Sequence, residues 1–255
     1  MKAIPQPKTE QIVERINALQ TASPYYIDPS TVTPLVREWR AIKREIDALM
    51  TVDACSAWEL TGAWKGLTGD FDDTEEAFRN SVALGNTGTN EVNRMINRLN
   101  LGKFQAGQDI YARVGAPELG QFTLALREGF AAGAIAQAAR FIARAEKMQI
   151  EWDMEEADDL LQAHAILLDA GISDEQIASH LDVAGTVLRR HRIRPIIVPL
   201  VTSADGLFHG VTYSLTVPVP ALEAFEMNVE LAEAENQAGL KKDVTFDVVF
   251  EEVRV

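Results

Sequence analysis

Few side chains in this sequence are spaced for acid–base, nucleophilic or metal chemistry. The histidines show no ligand spacing such as His-x3-His, and no cysteine pair accompanies them. The one cysteine, Cys55, stands among small and aromatic residues and is expected to be a small buried residue. The sequence also contains no phosphate loop, dinucleotide fingerprint or Gly-x-Ser-x-Gly elbow. We therefore expect no catalytic residue, no cofactor and no bound metal, and we expect that the protein is not an enzyme.

The densest group of functional side chains is an arginine-rich segment. Residues 174–191 (DEQIASHLDVAGTVLRRH) resemble a helix-turn-helix, in which small and apolar residues lock two crossing helices. The resemblance implies that a second helix carries cationic groups to DNA phosphates. The candidate DNA-binding residues are Thr186, Arg189, Arg190, Arg192 and Arg194.

Three residues depart from the helix-turn-helix pattern. Asp182 stands where glycine usually permits the turn, Gly185 falls inside the recognition helix, and Ala184 offers no base-reading group. Because Asp182 can cap a helix that begins at Val183, we expect a turn at this point together with weak DNA binding. The alternative is a helical hairpin that continues the preceding helices, with a basic end that suits its helix dipole.

The preceding helices carry a repeated pattern. Trp58, Gly62, Gly69, Phe71 and Phe78 have the spacing W-x3-G-x6-G-x-F-x6-F. This pattern resembles a tetratricopeptide repeat, in which large and small residues of a first helix pack against a second helix. The resemblance implies antiparallel helix pairs that stack into one continuous core and present a groove to a protein or peptide.

Two weaker copies of the pattern follow. Gly102 and Phe104 take the turn positions of a second copy, and Gly133 and Ile135 take those of a third. The three turn glycines lie 33 and 31 residues apart, close to the period of about 34 residues in this repeat class. Glu91 stands where the first copy has Trp58, so the later copies are degenerate. We expect a TPR-like array over residues 53–149.

The flanking segments complete the predicted organisation. Residues 1–52 contain two amphipathic helices, and the second has basic side chains off its apolar stripe. Residues 150–194 form the hairpin or helix-turn-helix-like segment. In the last segment, residues 195–255, the alternation of 211–217 and of 244–254 predicts strands and 221–237 reads as a helix. Together with a plausible strand after Pro195 they predict a small β-β-α-β unit in a mainly α protein. The candidate partner-binding residues of the first segment are Arg37, Arg40, Lys43 and Arg44.

Charge and targeting signals narrow the function. The net charge is −14, and its acidic excess is concentrated in residues 151–255, which favours a basic partner over non-specific nucleic-acid binding. The sequence has no leader-like start and no apolar run near 18 residues, so we expect a cytoplasmic protein without a membrane partner. A homo-oligomer is compatible with the sequence.

The function expected from these features is non-enzymatic. The chain would be an interaction or regulatory protein that binds its partner in a helical-repeat groove. It would be a prokaryotic or phage inhibitor of the antitoxin or immunity type, and its partner would be a basic protein or peptide. The alternative is a helix-turn-helix transcriptional regulator that binds DNA through residues 174–194.

Overall fold

The fold is mainly helical, with a small sheet near the C-terminus. The computed structural model describes residues 9–85, 88–114, 122–148, 154–204 and 208–253. The chain divides into two compact units, Met1–Asn97 with Arg192–Arg194, here called unit 1, and Arg98–His191 with Pro195–Val255, called unit 2. The division into four segments at 53, 150 and 195 stays a prediction.

Unit 1 is built from helices whose first turns are capped by side chains. Its helices are α1 (Thr9–Ala22), α2 (Pro34–Leu49), α3 (Ala54–Gly66), α4 (Phe71–Leu84) and the first part of α5 (Gly88–Asn100). Thr33, Asp53 and Asp70 each accept a hydrogen bond from a backbone N–H of the turn that follows, at the starts of α2, α3 and α4. The apolar stripes of α1, α2 and α3 then bury a common core.

Two tryptophans join α2 to α3 in this core. The rings of Trp39 and Trp64 stack with their centroids 4.1 Å apart. Each indole N–H donates to the backbone carbonyl of the other residue, at 3.1 and 2.8 Å. Trp58, which the repeat pattern predicts as the large core residue of α3, is only half-buried, and Trp64 is the buried tryptophan of this helix.

A short segment from late in the chain completes unit 1. The backbone N–H of Tyr26 donates to the carbonyl of Arg192 at 2.8 Å, and that of Arg194 donates to the carbonyl of Pro24 at 2.9 Å. Tyr25 and Ile193 thus form an antiparallel bridge. The segment Arg192–Arg194 therefore pairs through its backbone with the loop between α1 and α2, as a short β-bridge.

The described residues between 54 and 147 are mainly helical. After α3, α4 and α5 come α6 (Phe104–Val114), α7 (Phe122–Ala131) and α8 (Ile135–Lys147). Gly69, Gly102 and Gly133 have φ values of 82°, 63° and 75°, the left-handed conformation that ends a helix at low cost only for glycine. The turns predicted at these glycines are confirmed. Gly62 lies directly against the Phe78 ring, where a Cβ atom would come within 2.6 Å.

The next two helices correct the prediction of a turn at Asp182. Helix α9 (Met154–Asp169) ends before Gly171, and α10 (Asp174–Arg190) begins with a capping box formed by Ser173 and Gln176. Helix α10 continues without a break through Asp182 and Val183, so the predicted turn is wrong. The hydroxyl of Thr186 donates to the carbonyl of Asp182 at 2.9 Å, four residues back in the same helix.

The partners of α10 also differ from the prediction. Ile177, Leu181 and Leu188 are buried as expected. The hairpin predicted for residues 150–194 would pack them against α9, but Leu161 of α9 is exposed. Helix α9 packs mainly against α8 and the sheet, whereas α10 packs mainly against α6 and against α11 (Ala221–Gln237).

The C-terminal part has the predicted β-β-α-β order. Strands β1 (Ile197–Ala204) and β2 (Phe208–Val217) pair antiparallel, and β2 pairs parallel with β3 (Phe246–Glu252). The alternating residues Val211, Tyr213, Leu215 and Val217 of β2 are buried. At the outer edge of β3, the Asn228 side chain accepts from the N–H of Phe250 and donates to its carbonyl, both at 2.8 Å. Helix α11 therefore blocks this edge against further strand pairing.

A buried hydrogen bond ties α10 to α11. Nδ1 of His180 lies 2.7 Å from Oε1 of Glu235, Lys242 lies 3.0 Å from the other oxygen, and the His180 ring meets Phe246 edge to face. Burial by itself would raise the pKa of Glu235, but the hydrogen bonds from His180 and Lys242 outweigh it, and the pKa is lowered.

The lowered pKa makes a prediction about acid stability. A carboxylate with a lowered folded-state pKa stabilises the protein fully above its unfolded-state pKa of about 4.3, and this contribution is lost as the pH falls through the folded-state value. Glu235→Gln is expected to flatten the fall in the free energy of unfolding below about pH 4.3. Urea unfolding at successive pH values measures this. The same acid slope in wild type and variant would contradict it.

No helix among the described residues is long and apolar enough to cross a membrane.

Candidate interaction surface

The candidate DNA-binding residues of α10 are engaged within the protein. Nη1 of Arg189 donates to the backbone carbonyls of Leu101 and Gly102, at 2.9 and 2.7 Å, and Nη2 donates to the hydroxyl of Thr186. The Arg189 guanidinium thus holds the carbonyl end of α5. Because Gly185 lies against Gly102, glycine inside this helix permits a close backbone approach.

The other three arginines of the segment also have partners. Arg190 donates to Glu230 of α11 at 2.8 Å. Arg192 donates to the carbonyls of Tyr26 and Ile27, and Arg194 to those of Gln20 and Ser23. The helix-turn-helix prediction needs free arginines on a short recognition helix, and these side chains do not form such a set.

Two aspartates of α10 act as helix caps on other helices. Oδ1 of Asp182 accepts from the N–H groups of Phe104 and Gln105, at 2.6 and 3.3 Å. The carboxylate of Asp174 accepts from Ala136 and Gln137 at 2.9 and 3.1 Å. The residues before α6 and α8 are Lys103 and Ala134. Neither side chain has an acceptor, so α10 supplies the missing caps.

Both capping carboxylates are largely withdrawn from water. Burial raises the pKa of Asp174 and of Asp182, and the hydrogen bonds from the capped N–H groups only partly oppose it. Gln108 adds a further link, since its amide donates to the carbonyls of Ala132 and Asp174 at 3.0 and 2.9 Å. Within unit 2, the polar residues of α10 therefore have structural partners.

The candidate partner-binding residues lie along α2 in unit 1. Arg37, Arg40 and Arg44 are exposed and Lys43 is half-buried. Arg40 donates to the carbonyl of Pro29 at 3.0 Å, and Lys43 pairs with Asp47. Contact of these residues with a partner stays a prediction.

Helix α11 has apolar residues on two opposite faces. Ala224, Met227 and Leu231 are buried against the rest of unit 2. On the opposite face, Leu222, Phe225 and Val229 are 72%, 63% and 45% exposed. Their spacing of three and four residues aligns them in one row, here called the outward stripe. An ordinary surface helix has one apolar face, so this second, exposed face makes α11 the candidate interaction surface.

Within α11 itself, carboxylates line the outward stripe along one side only. Successive side chains of an α-helix are rotated by about 100° around its axis. This rotation places four glutamates next to the stripe on one side and uncharged residues next to it on the other. The first set, here called the acidic flank, consists of Glu223, Glu226, Glu230 and Glu233. The second set, called the neutral flank, consists of Ala221, Asn228 and Ala232.

A cleft of about 510 Å³ adjoins the acidic flank, between α11 and the end of α10. Its walls include the apolar side chains of Pro220, Leu222 and Met227 and the carboxylates of Glu223 and Glu226. At its inner end, Glu230 accepts from Arg190 and lies 2.9 Å from Nε2 of His191. Burial opposes ionisation of Glu230, but these hydrogen bonds outweigh it and lower its pKa, so the carboxylate stays charged at neutral pH.

Sequence reasoning identified α11 as a helix but missed its outward stripe. The signal was present as Leu222, Phe225 and Val229 at helical spacing. Among the described residues, no group of three His, Cys, Asp or Glu side chains could hold a metal ion. A second cavity, between His164 and Asp174, has a volume of only about 30 Å³.

Comparisons of the chain with protein-family models, with curated proteins and with solved structures find no match.

Proposed function

We propose that this chain is a non-enzymatic interaction protein that binds a basic partner protein through the outward face of α11. The observation that carries the proposal is the outward stripe itself, Leu222, Phe225 and Val229, which leaves three large apolar side chains in water on a helix already buried along its other face. Exposing such side chains gains nothing for folding, whereas covering them on binding is favourable.

The rest of unit 2 supports this surface as a rigid scaffold. The opposite face of α11 is anchored by Met227 and Leu231 in the core and by the Asn228 bonds to β3. Helix α10, which packs against α11, is itself fixed by its caps on α6 and α8. A surface held in one conformation loses little conformational entropy when it binds. The sequence resemblance to a TPR-like array over residues 53–149 adds support, because arrays of that family act as scaffolds.

The acidic charge supports a basic partner. The acidic flank borders the stripe, and the whole chain carries a net charge of −14. Complementary charge around an apolar centre speeds association and excludes acidic competitors. In this proposal the chain acts as an antitoxin or immunity-type protein that binds and covers a basic partner.

Capture of partners from a lysate of the source cells tests the proposal. We expect at least one protein to be retained by wild-type bait and lost from Leu222→Ser/Phe225→Ser bait. Val244→Ser is the matched control, because Val244 is 86% exposed in unit 2 but lies outside α11. Partners that bind all three baits equally would contradict the proposal.

A further inference from the structure

We infer that the outward stripe binds an amphipathic helix of the partner whose cationic side chains all lie on one flank. This inference rests on the proposed function and names the form of the partner segment. Its starting point is the one-sided charge of α11, with the acidic flank on one side of Leu222, Phe225 and Val229 and the neutral flank on the other.

The geometry of the stripe favours a helix as the occupant. Leu222 and Val229 are seven residues apart, or about 10 Å along the helix axis. A second helix laid along it presents its own apolar side chains at positions i, i+3 or i+4, and i+7, the same spacing as the stripe. An extended strand is disfavoured, because the strand edge beside α11 is already closed at Phe250 by Asn228.

The charges decide which helix fits. Glu223, Glu226 and Glu233 are exposed, and Glu230 already accepts hydrogen bonds from Arg190 and His191. Lysine or arginine side chains on the facing flank of a docked helix would reach the exposed carboxylates. On the other flank, α11 itself offers only Ala221, Asn228 and Ala232, none of which can form an ion pair.

A second copy of the chain fits this surface poorly. If two α11 helices docked antiparallel through their stripes about a twofold axis, both acidic flanks would lie on the same side and repel each other. If they docked parallel, each acidic flank would face the other copy's neutral flank. In neither arrangement does the facing helix supply a cation, so the apolar gain would be opposed by charge or left without ion pairs.

Synthetic peptides of one length and one apolar pattern test the inference. The probes are three 14-residue peptides with leucines at helical spacing. The first has four lysines on one flank, the second has the same lysines divided between both flanks, and the third has glutamates in place of the lysines of the first. Circular dichroism checks that their helical contents match, and fluorescence anisotropy measures the dissociation constants for the full-length chain.

We expect the one-flank peptide to bind about fivefold more tightly than the divided one, because moving two lysines away removes two exposed ion pairs. Phe225→Ser is expected to weaken binding of the one-flank peptide about tenfold, and Val244→Ser to leave it unchanged. Glu226→Gln/Glu233→Gln is expected to make the one-flank and divided peptides bind alike, without a change in the unfolding of the protein. The glutamate peptide is expected not to bind.

Equal affinity of wild-type protein for the one-flank and divided peptides would overturn the inference, as would binding of the glutamate peptide. The lysate experiment separates this failure from that of the proposed function. A partner that is lost from the Leu222→Ser/Phe225→Ser bait would support the outward stripe as the binding surface. If the peptides at the same time bound with equal affinity, the proposal that a helix with cations on one flank binds there would be refuted. Peptide binding that is insensitive to Phe225→Ser would overturn the inference, because the peptide would then bind away from the stripe, while the lysate baits still decide the proposed function.

Discussion

Gly185→Ala is expected to lower the free energy of unfolding of unit 2 by about 3 kcal/mol, the upper end of ordinary overpacking. A Cβ atom at position 185 would lie 2.2 Å from the carbonyl oxygen of Gly102 and 2.8 Å from its carbonyl carbon. Both atoms belong to main chain, so no rotamer change can make room. The sign is opposite to that expected for an exposed helix, where alanine stabilises relative to glycine by about 1 kcal/mol.

The turn that Gly185 contacts has little freedom to yield. Gly102 has a φ of 63°, and its carbonyl accepts from Arg189 at 2.7 Å. The neighbouring Phe104 N–H is held by Asp182 at 2.6 Å. Any shift of α10 that relieves the clash therefore strains hydrogen bonds on both sides of residue 185. Hydrogen exchange of the α6 and α10 amides, followed through urea unfolding, measures the loss of stability.

Gly171→Ala is the control for backbone strain without a clash. Gly171 also has a positive φ, 70°, but a Cβ atom there would meet no atom within 4 Å. We expect this variant to cost about 1 kcal/mol, the penalty for an alanine in the left-handed region. If Gly185→Ala were as stable as Gly171→Ala, or more stable than wild type, the prediction would be contradicted. Helix α10 would then lie farther from the Gly102 turn than the 2.2 Å between a Cβ at residue 185 and the Gly102 carbonyl oxygen implies.

The sequence predicted the parts of the fold that depend on neighbouring residues. Gly69, Gly102 and Gly133 were recognisable as turns because a left-handed residue after an apolar helix is a local signal. The strands of residues 211–217 and the helix of 221–237 followed from local periodicity in the same way. Val244 was expected to lie in the last strand but is exposed, because the strand begins at Phe246.

The position of α10 could not be predicted, because its decisive contacts are distant in sequence. Asp182 and Phe104 are 78 residues apart, and Gly185 meets Gly102 across a similar interval. In isolation, an aspartate followed by Val183 fits a helix start, and a glycine inside a helix looks unfavourable. Both residues make contacts with a distant part of the chain. The Asp182 carboxylate caps α6, and the absence of a side chain at Gly185 lets the turn at Gly102 approach α10.

The outward stripe of α11 illustrates a different limit. The sequence of α11 contains two apolar rows, Ala224, Met227 and Leu231 on one face and Leu222, Phe225 and Val229 on the other. Periodicity alone does not say which row the core uses, and a helix with two such rows also fits a fully buried position. Only the packing of α11 on α10 and β3 identifies the exposed row. From the sequence alone, either face of α11 could have been assigned as the exposed one.

Removing both capping aspartates of α10 is expected to destabilise unit 2 by about 2–4 kcal/mol, as the sum of two separate effects. Asp182→Ala leaves the N–H of fully buried Phe104 without its acceptor, and Asp174→Ala does the same at Ala136 in the first turn of α8. Each loss is about 1–2 kcal/mol, because relief of the buried charge, visible in the raised pKa of both groups, offsets part of the lost hydrogen bonding.

The double variant tests whether α10 holds α6 and α8 independently. Asp174 and Asp182 are eight residues apart, or about 12 Å along a continuous helix, a separation at which mutational effects usually add. Hydrogen exchange should therefore show Asp182→Ala loosening chiefly the start of α6 and Asp174→Ala the start of α8. Asp182→Asn retains one acceptor oxygen in the same shape and should recover about half of the loss. Had Asp182 instead capped a helix beginning at Val183, its removal would loosen the amides of residues 184–186 and leave those of Phe104 and Gln105 protected.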